Sequence, residues 1–315
     1  MFRSPASRIL ALLVVLAVGP ALAGCGGGGG GDGGNGSTGA DVLYVDVAKG
    51  LDGNPGTEAA PFQSISRALQ SVQTAPAREA GTRIRIEPGV YDSCCETFPL
   101  VVPSGVVLEK IGLGSSPVIR GGGAIPPAYG TGFTAAVVVE AYAMVRGLEI
   151  TNTLGTASPP FHYGVLMGGD EAAVINCSVV NSEAGGIRVV AGNDILIDSC
   201  SIGGHTTGVG LHFAGGGVGG RVSSTGITFN RIGVEYDAPG AALHGEASPQ
   251  GRVQIFGNSD TDVWVAPGIV VDARGCNWDA VPPQASTTDV GGGIDIFHPD
   301  GQTGIDVSDF GPVVI

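Results

Sequence analysis

Gly164-Val-Leu-Met, Gly186-Ile-Arg-Val, Gly208-Val-Gly-Leu, Gly233-Val-Glu-Tyr and Asp262-Val-Trp-Val form one phrase, written five times. A glycine, once replaced by aspartate, leads a short alternating run at intervals of 22, 22, 25 and 29 residues. A period of this size marks stacked structural units rather than one globular core. Alternation within each phrase is that of a strand, and short apolar runs bounded by Gly, Pro and Asn fill the rest of each repeat. The expected architecture is therefore all-β, a parallel β-helix. With 56 glycines in 315 residues, helices must be few.

Outward from the repeats, one strand in each unit ends as Leu148-Glu-Ile150, Cys177-Ser-Val179 or Cys200-Ser-Ile202. Asn152 and Asn181 occupy matching turns and suggest a partial asparagine ladder, with Asn230 one place off. Cys177 and Cys200 recur one coil apart, where stacked strands stand roughly 4.8 Å from each other. That spacing suits either a disulfide or a buried thiol ladder. Cys94, Cys95 and Cys276 make the count odd, and no Cys/His spacing suggests zinc.

Ahead of the repeats, Phe62, Ile65, Ala68, Leu69 and Val72 fall at helical spacing, which predicts a short amphipathic helix over 63–72. A solenoid needs such a cap, because its first coil otherwise exposes apolar surface and an unpaired strand edge. Behind them, the alternation in residues 291–315 predicts a C-terminal cap. The division is then 1–24 export signal, 25–40 tether, 41–80 strand and capping helix, 81–280 β-helix and 281–315 cap.

Arg3 and Arg8 followed by an apolar run over 9–18 read as a secretory signal. Leu22-Ala23-Gly24-Cys25 resembles the lipobox of bacterial lipoproteins, which implies cleavage before Cys25 and its lipidation. Gly26 beside it resembles the pattern that permits outer-membrane sorting. The implied address is the bacterial cell envelope, outer membrane or cell surface, with the membrane as partner through Cys25. Cleavage leaves 13 basic against 29 acidic side chains, a net charge of −16. A surface that acidic excludes nucleic acid as a partner, since phosphate binding needs a cationic stripe.

Tyr44-Val-Asp46, Asp52-Gly-Asn-Pro-Gly-Thr57 and Pro61-Phe62-Gln-Ser-Ile65-Ser-Arg-Ala68-Leu69 resemble the opening of an uncharacterised family of secreted proteins. Pro88-Gly-Val-Tyr91, Phe98-Pro-Leu100 and Pro103-Ser-Gly-Val106 continue the likeness, and Val271 to Asp279 (VDARGCNWD) resembles its closing asparagine–tryptophan phrase. That resemblance implies a single-stranded, right-handed parallel β-helix of the pectin-lyase-like superfamily. It implies no particular chemistry. Cys276 stands where asparagine is usual.

Alternate residues of a strand face outward. Aligning the glycine phrases puts Val165, Ile187, Val209 and Val234 inside. Outside stand Leu166, Arg188, Gly210, Glu235 and Trp264, with His212 and Asp237 two residues further along. Phe161, His162 and Tyr163 fall in the loop before this sheet, and His244 and Glu246 in the loop after it. Arg188, His212, Glu235, Asp237 and Trp264 are the candidate polysaccharide-binding set, because aromatics stack on sugar faces and charged groups fix hydroxyls; the alternative is a solvated face. Asp170, Glu171 and Asp194 share a turn in successive coils and offer a weak Ca2+ site, although Asp and Asn also suit tight turns for their own backbone bonds. Were the protein an enzyme, Arg188, Glu171 and Asp194 would be its catalytic candidates.

No recognisable catalytic set stands out, and lysine occurs only at 49 and 110. The leading expectation is an envelope lipoprotein whose β-helix presents a carbohydrate-binding or adhesive surface. A polysaccharide lyase or glycoside hydrolase, and a purely structural envelope protein, are the alternatives.

Overall fold

The computed structural model describes residues 41–74, 81–154, 161–244, 252–288, 294–299, 305–308 and 311–312. The stretch expected to be an export signal, Cys25 and the glycine-rich stretch after it lie outside these residues. Among them the chain winds as a right-handed parallel β-helix, the hand that twisted parallel strands impose on their crossovers. Successive coils add one strand each to sheets of eight, nine and ten strands, and every strand pairing but one is parallel.

The core is a set of columns in which one apolar residue per coil sits on its counterpart. In the eight-stranded sheet the column reads Leu43, Ile84, Leu108, Val145, Val174, Ile197, Val222 and Leu243. In the ten-stranded sheet Val137, Val165, Ile187, Leu211, Val234, Val263 and Ile296 stack in the same way. All are buried. Each such side chain contributes roughly 1.5–3 kcal/mol by leaving water. β-Branched residues dominate because they pack well on a pleated surface.

Ile65–Thr74 forms the capping helix and buries Ile65, Ala68 and Leu69. It starts two residues later than the spacing predicts because Ser64 takes the N-cap, its hydroxyl accepting from the Arg67 amide at 3.1 Å. The Glu96 carboxylate, from a later turn, accepts from the Ile65 and Ser66 amides at 2.7 and 2.8 Å, placing negative charge at the helix N-terminus. At the far end, Ile296–Phe297 pairs with Thr261–Val265 and Gly311–Pro312 pairs with Asn277–Trp278, so this segment continues the stack.

Two readings of the repeat need correction. First, register puts Leu211, not Val209, on Ile187, and His212, not Gly210, beside Arg188. The glycine column is therefore Gly164, Gly186, Gly210, Gly233, then Asp262, because the turn before Gly210 is two residues longer than the repeat suggests. These glycines are required by close approach. A Cβ on Gly186 would lie 2.6 Å from the Gly210 carbonyl oxygen and from Ile202 Cγ2.

Second, the ladder runs through Asn152, Ser182, His205, Asn230 and Asn258 and not through Asn181. Each backbone N–H donates to the side chain one coil on: Asn152 to Ser182 Oγ at 3.0 Å, Ser182 to His205 Nδ1 at 3.1 Å, His205 to Asn230 Oδ1 at 3.3 Å, Asn230 to Asn258 Oδ1 at 2.9 Å. A rung needs only a buried acceptor, so serine and histidine serve as well as asparagine. Burial holds His205 below the usual histidine range, in the neutral form this role requires. Cys177 and Cys200 are free, buried thiols bonded to main-chain carbonyls. Cys276 occupies the same column two coils beyond Thr225, fully buried.

Candidate functional site

The outward row on the ten-stranded sheet runs Leu166, Arg188, His212, Glu235, Trp264 and Phe297 across the strands Phe161–Gly168, Gly185–Ala191, Val209–Phe213, Ile232–Tyr236, Thr261–Val265 and Ile296–Phe297. Asp237 follows Glu235 two residues on and shares its face. Phe161 and Tyr163, expected in a preceding loop, are part of the first of these strands. Gly185, level with Tyr163, carries no side chain, and a Cβ there would meet the tyrosine ring at 3.0 Å. The ring uses that space to reach across to His212.

Phe161, Tyr163, Arg188, His212, Glu235 and Asp237 line a cavity of about 370 Å³ with Phe133, Thr207 and Arg231. Phe133 stacks on the exposed Phe161, ring centroids 5.8 Å apart, and the Arg188 guanidinium lies 4.1 Å from the Phe133 centroid. Arg188 Nη1 donates to Tyr163 Oη at 3.2 Å and to His212 Nδ1 at 2.9 Å. Nδ1 is thus an acceptor, which leaves the proton of a neutral imidazole on Nε2, donated to Asp237 Oδ2 at 2.8 Å. Arg231 is committed elsewhere, to Asp260 Oδ2 at 2.9 Å.

Burial, reinforced by Arg188, holds His212 below the usual histidine range; Asp237 opposes the shift without reversing it. Burial and then the Asp237 charge push the Glu235 carboxyl up to about 7, against the pull of Arg231 and Arg188. Glu235 thus retains its proton near neutrality, as the acid of an acid–base pair must. His212, Glu235 and Asp237 bring one donor atom each within 4.8 Å of one another. Arg188, bonded to the same imidazole, already supplies a positive charge there, so the set favours hydrogen bonding over a cation.

Four of the five expected binding residues come together: Arg188, His212, Glu235 and Asp237. Trp264 shares their row but stacks on Phe297, centroids 6.0 Å apart, outside the cavity lining. His162 is buried and bonded to Thr134 Oγ1 at 2.7 Å, while His244 lies 3.6 Å from Asp272 Oδ2. Glu246 is outside the described residues. Asp170 Oδ1 accepts from the Asn193 amide at 2.8 Å, tying two turns together. Glu171 and Asp194 are exposed turn residues with φ of 54° and 56°, and none of these three lines the cavity. Phe133 and Arg231 were not singled out from the sequence. A wider cleft of about 450 Å³ on the eight-stranded sheet carries Arg83, Arg85 and Arg146, but Glu109 engages the first two at 2.8 and 3.5 Å and no aromatic ring lines it.

Among solved structures, pectate lyase Pel9A is similar with a TM-score of 0.52 at 14% identity, over 87% of this chain and 80% of that one. A rhamnogalacturonan lyase gives 0.44 at 16% identity, over 88% and 66%. The GH136 lacto-N-biosidase from Eubacterium ramulus gives 0.45 at 16% identity, over 76% of this chain and 54% of that enzyme. The chain thus spans about half the length of that enzyme. At these identities the likeness is one of fold, the pectin-lyase-like parallel β-helix. No curated protein matches the sequence significantly. A family model does match, over residues 48–285, and the chain belongs to that family, the proteins of unknown function DUF1565.

Proposed function

We propose that this is an exported, lipid-anchored envelope protein whose β-helix binds saccharide in the cavity of Arg188, His212, Glu235 and Asp237. The observation that carries the reading is the composition of that cavity: exposed and half-buried aromatic faces stand beside a fixed set of donors and acceptors. Aromatic faces take up the C–H face of a sugar ring, and the polar set fixes its hydroxyls. The test is direct binding of the full chain, in detergent, to a panel of plant, algal and bacterial polysaccharides; binding unaltered by loss of His212 would remove the cavity from consideration. The anchor rests on Leu22-Ala23-Gly24-Cys25. Cys25→Ala is expected to shift the protein from the membrane to the soluble fraction, and an unchanged distribution would count against lipidation.

One observation favours cleavage as well as binding. Glu235, raised to about 7, and Asp237 have carboxylate oxygens within 4.8 Å of each other. Carboxyl groups roughly 5–5.5 Å apart serve retaining glycosidases as acid and nucleophile. Activity would then fall as pH rises through about 7, when Glu235 loses its proton, and Glu235→Gln would lower it roughly 10²–10⁴-fold. Stability gives an independent readout. The folded-state pKa of Glu235 lies above its ordinary 4.5. The folded state therefore binds the extra proton, and stability declines as pH rises from about 4.5 to about 7. The shift amounts to a cost on the order of 3 kcal/mol above that window. Glu235→Gln removes it, so the variant is expected to melt higher than the parent at pH 8 and not at pH 4. Equal melting differences at both values would show that the carboxyl is not perturbed.

A further inference from the structure

The glycine column of the ten-stranded sheet ends in acid. Register places Asp262 on Gly233 and Asp295 on Asp262, so two carboxylates occupy successive positions that are glycine in four earlier coils. Asp262 is 4% and Asp295 2% exposed. Asp279, from the turn after Asn277–Trp278, completes the group, with one carboxylate oxygen from each residue within 4.8 Å of the other two. Among the described residues no Lys, Arg or His is ion-paired to any of the three.

Asp262 Oδ1 accepts from Asn258 Nδ2 at 2.6 Å, but Oδ2 is buried with no hydrogen-bond partner. A buried, unpartnered carboxylate oxygen is expensive. Asp295 accepts from the Gln284 amide, and its remaining neighbour in the group is the Asp279 carboxylate.

We propose that Asp262, Asp279 and Asp295 form a divalent cation site with calcium as its natural occupant, locking the last coils to the regular helix. The donors are all carboxylate oxygens, which suit a hard cation and exclude thiolate- or imidazole-selecting metals. Asp279 is exposed and gives the site its opening to solvent, from which water can complete the six to eight oxygens calcium takes. Position explains why the acids occur here. Elsewhere in the column a side chain would strike the next coil, as a Cβ on Gly210 would meet the Gly233 carbonyl oxygen at 2.7 Å. Only at the end of the stack does the column hold carboxylates. The site is separate from the saccharide cavity and does not depend on it.

The test is calcium and terbium titration of the chelator-treated full chain. Trp278, adjacent to Asp279, serves as the antenna for terbium emission. Expected are tryptophan-sensitised terbium luminescence displaced by calcium, and a melting temperature that climbs with the logarithm of calcium concentration. Asp262→Gly restores the residue that the rest of the column carries, so it should fold. It should melt above the parent in chelator, fall below it in saturating calcium, and give at least tenfold weaker terbium binding, as should Asp295→Asn. Asp170→Asn, on the distant turn, should behave as the parent. Absence of any calcium response in the parent, or a response that survives both Asp262→Gly and Asp295→Asn, would overturn the assignment.

Discussion

Arg188→Ala is expected to lower saccharide affinity roughly 10–100-fold, the equivalent of one charge-assisted hydrogen bond of about 1.5–3 kcal/mol. Arg188 acts on the cavity through three contacts: it lies on the Phe133 face, it donates to Tyr163 Oη, and it donates to His212 Nδ1. Removing it frees the aromatic wall and the imidazole together. Arg188→Lys should not restore binding, since an ammonium neither stacks as a plane nor offers the forked donors that reach two acceptors at once.

A second readout separates this role from general damage. Arg188 is one of the two causes that hold His212 below its ordinary range, after burial. Its loss should move the His212 titration upward, measurable by NMR of the imidazole. A depressed histidine contributes stability that is present above its unfolded pKa of about 6.5 and lost as pH falls below it. Arg188→Ala should therefore soften the acid-side decline. Trp264→Ala, by contrast, should leave binding intact, because that ring packs on Phe297. Affinity unchanged in Arg188→Ala and lost in Trp264→Ala would move the binding surface to the other end of the row.

Much of the fold was legible because a solenoid writes each coil in full. Glycine phrase, apolar column and turn recur, and the export of one register to the next needs no long-range guess. What blurred the site was a single ambiguity. Gly208-Val-Gly-Leu contains two glycines, and the earlier one keeps the 22-residue interval. Backbone pairing selects Gly210, because only there does a glycine meet the Gly186 strand, and His212 then falls beside Arg188. Asn181 misled for a related reason: the rung is chosen by acceptor geometry, and Ser182 beside it satisfies that while Asn181 turns outward with φ of 54°. Phe133 was illegible because its strand lies ahead of the first glycine phrase, directly after an irregular stretch containing the turn of 3₁₀ helix Pro127–Tyr129, where no repeat marks the register. The aspartate cluster spans residues 262 to 295, where the period has already broken down; its one visible trace was Asp262 in place of glycine.

Gly186→Ala is expected to destabilise the chain by about 1–3 kcal/mol, the usual cost of forcing extra volume into a packed interior, and Gly186→Val by more. Space, not backbone conformation, is the reason. The added Cβ would lie 2.6 Å from the Gly210 carbonyl oxygen and Ile202 Cγ2 and 2.8 Å from His205 Nε2. None of these can yield cheaply. The carbonyl belongs to the next strand of the sheet. Ile202 stands in an interior column between Val179 and Ile227. His205 is held on both nitrogens, accepting from the Ser182 amide and bonding the Val179 carbonyl at 3.1 Å. A shift of His205 would break the rung beneath it and the one above, so the penalty spreads to neighbouring coils as nearest-neighbour coupling in a solenoid predicts. Gly216→Ala supplies the contrast: its Cβ would meet nothing within 4 Å, so that variant should melt within about a degree of the parent or slightly above it, by restricting the unfolded chain. Thermal unfolding of the two variants side by side decides the matter. Equal melting temperatures would mean that the coils are not packed through the glycine column, and the register that brings His212 to Arg188 would lose its physical basis.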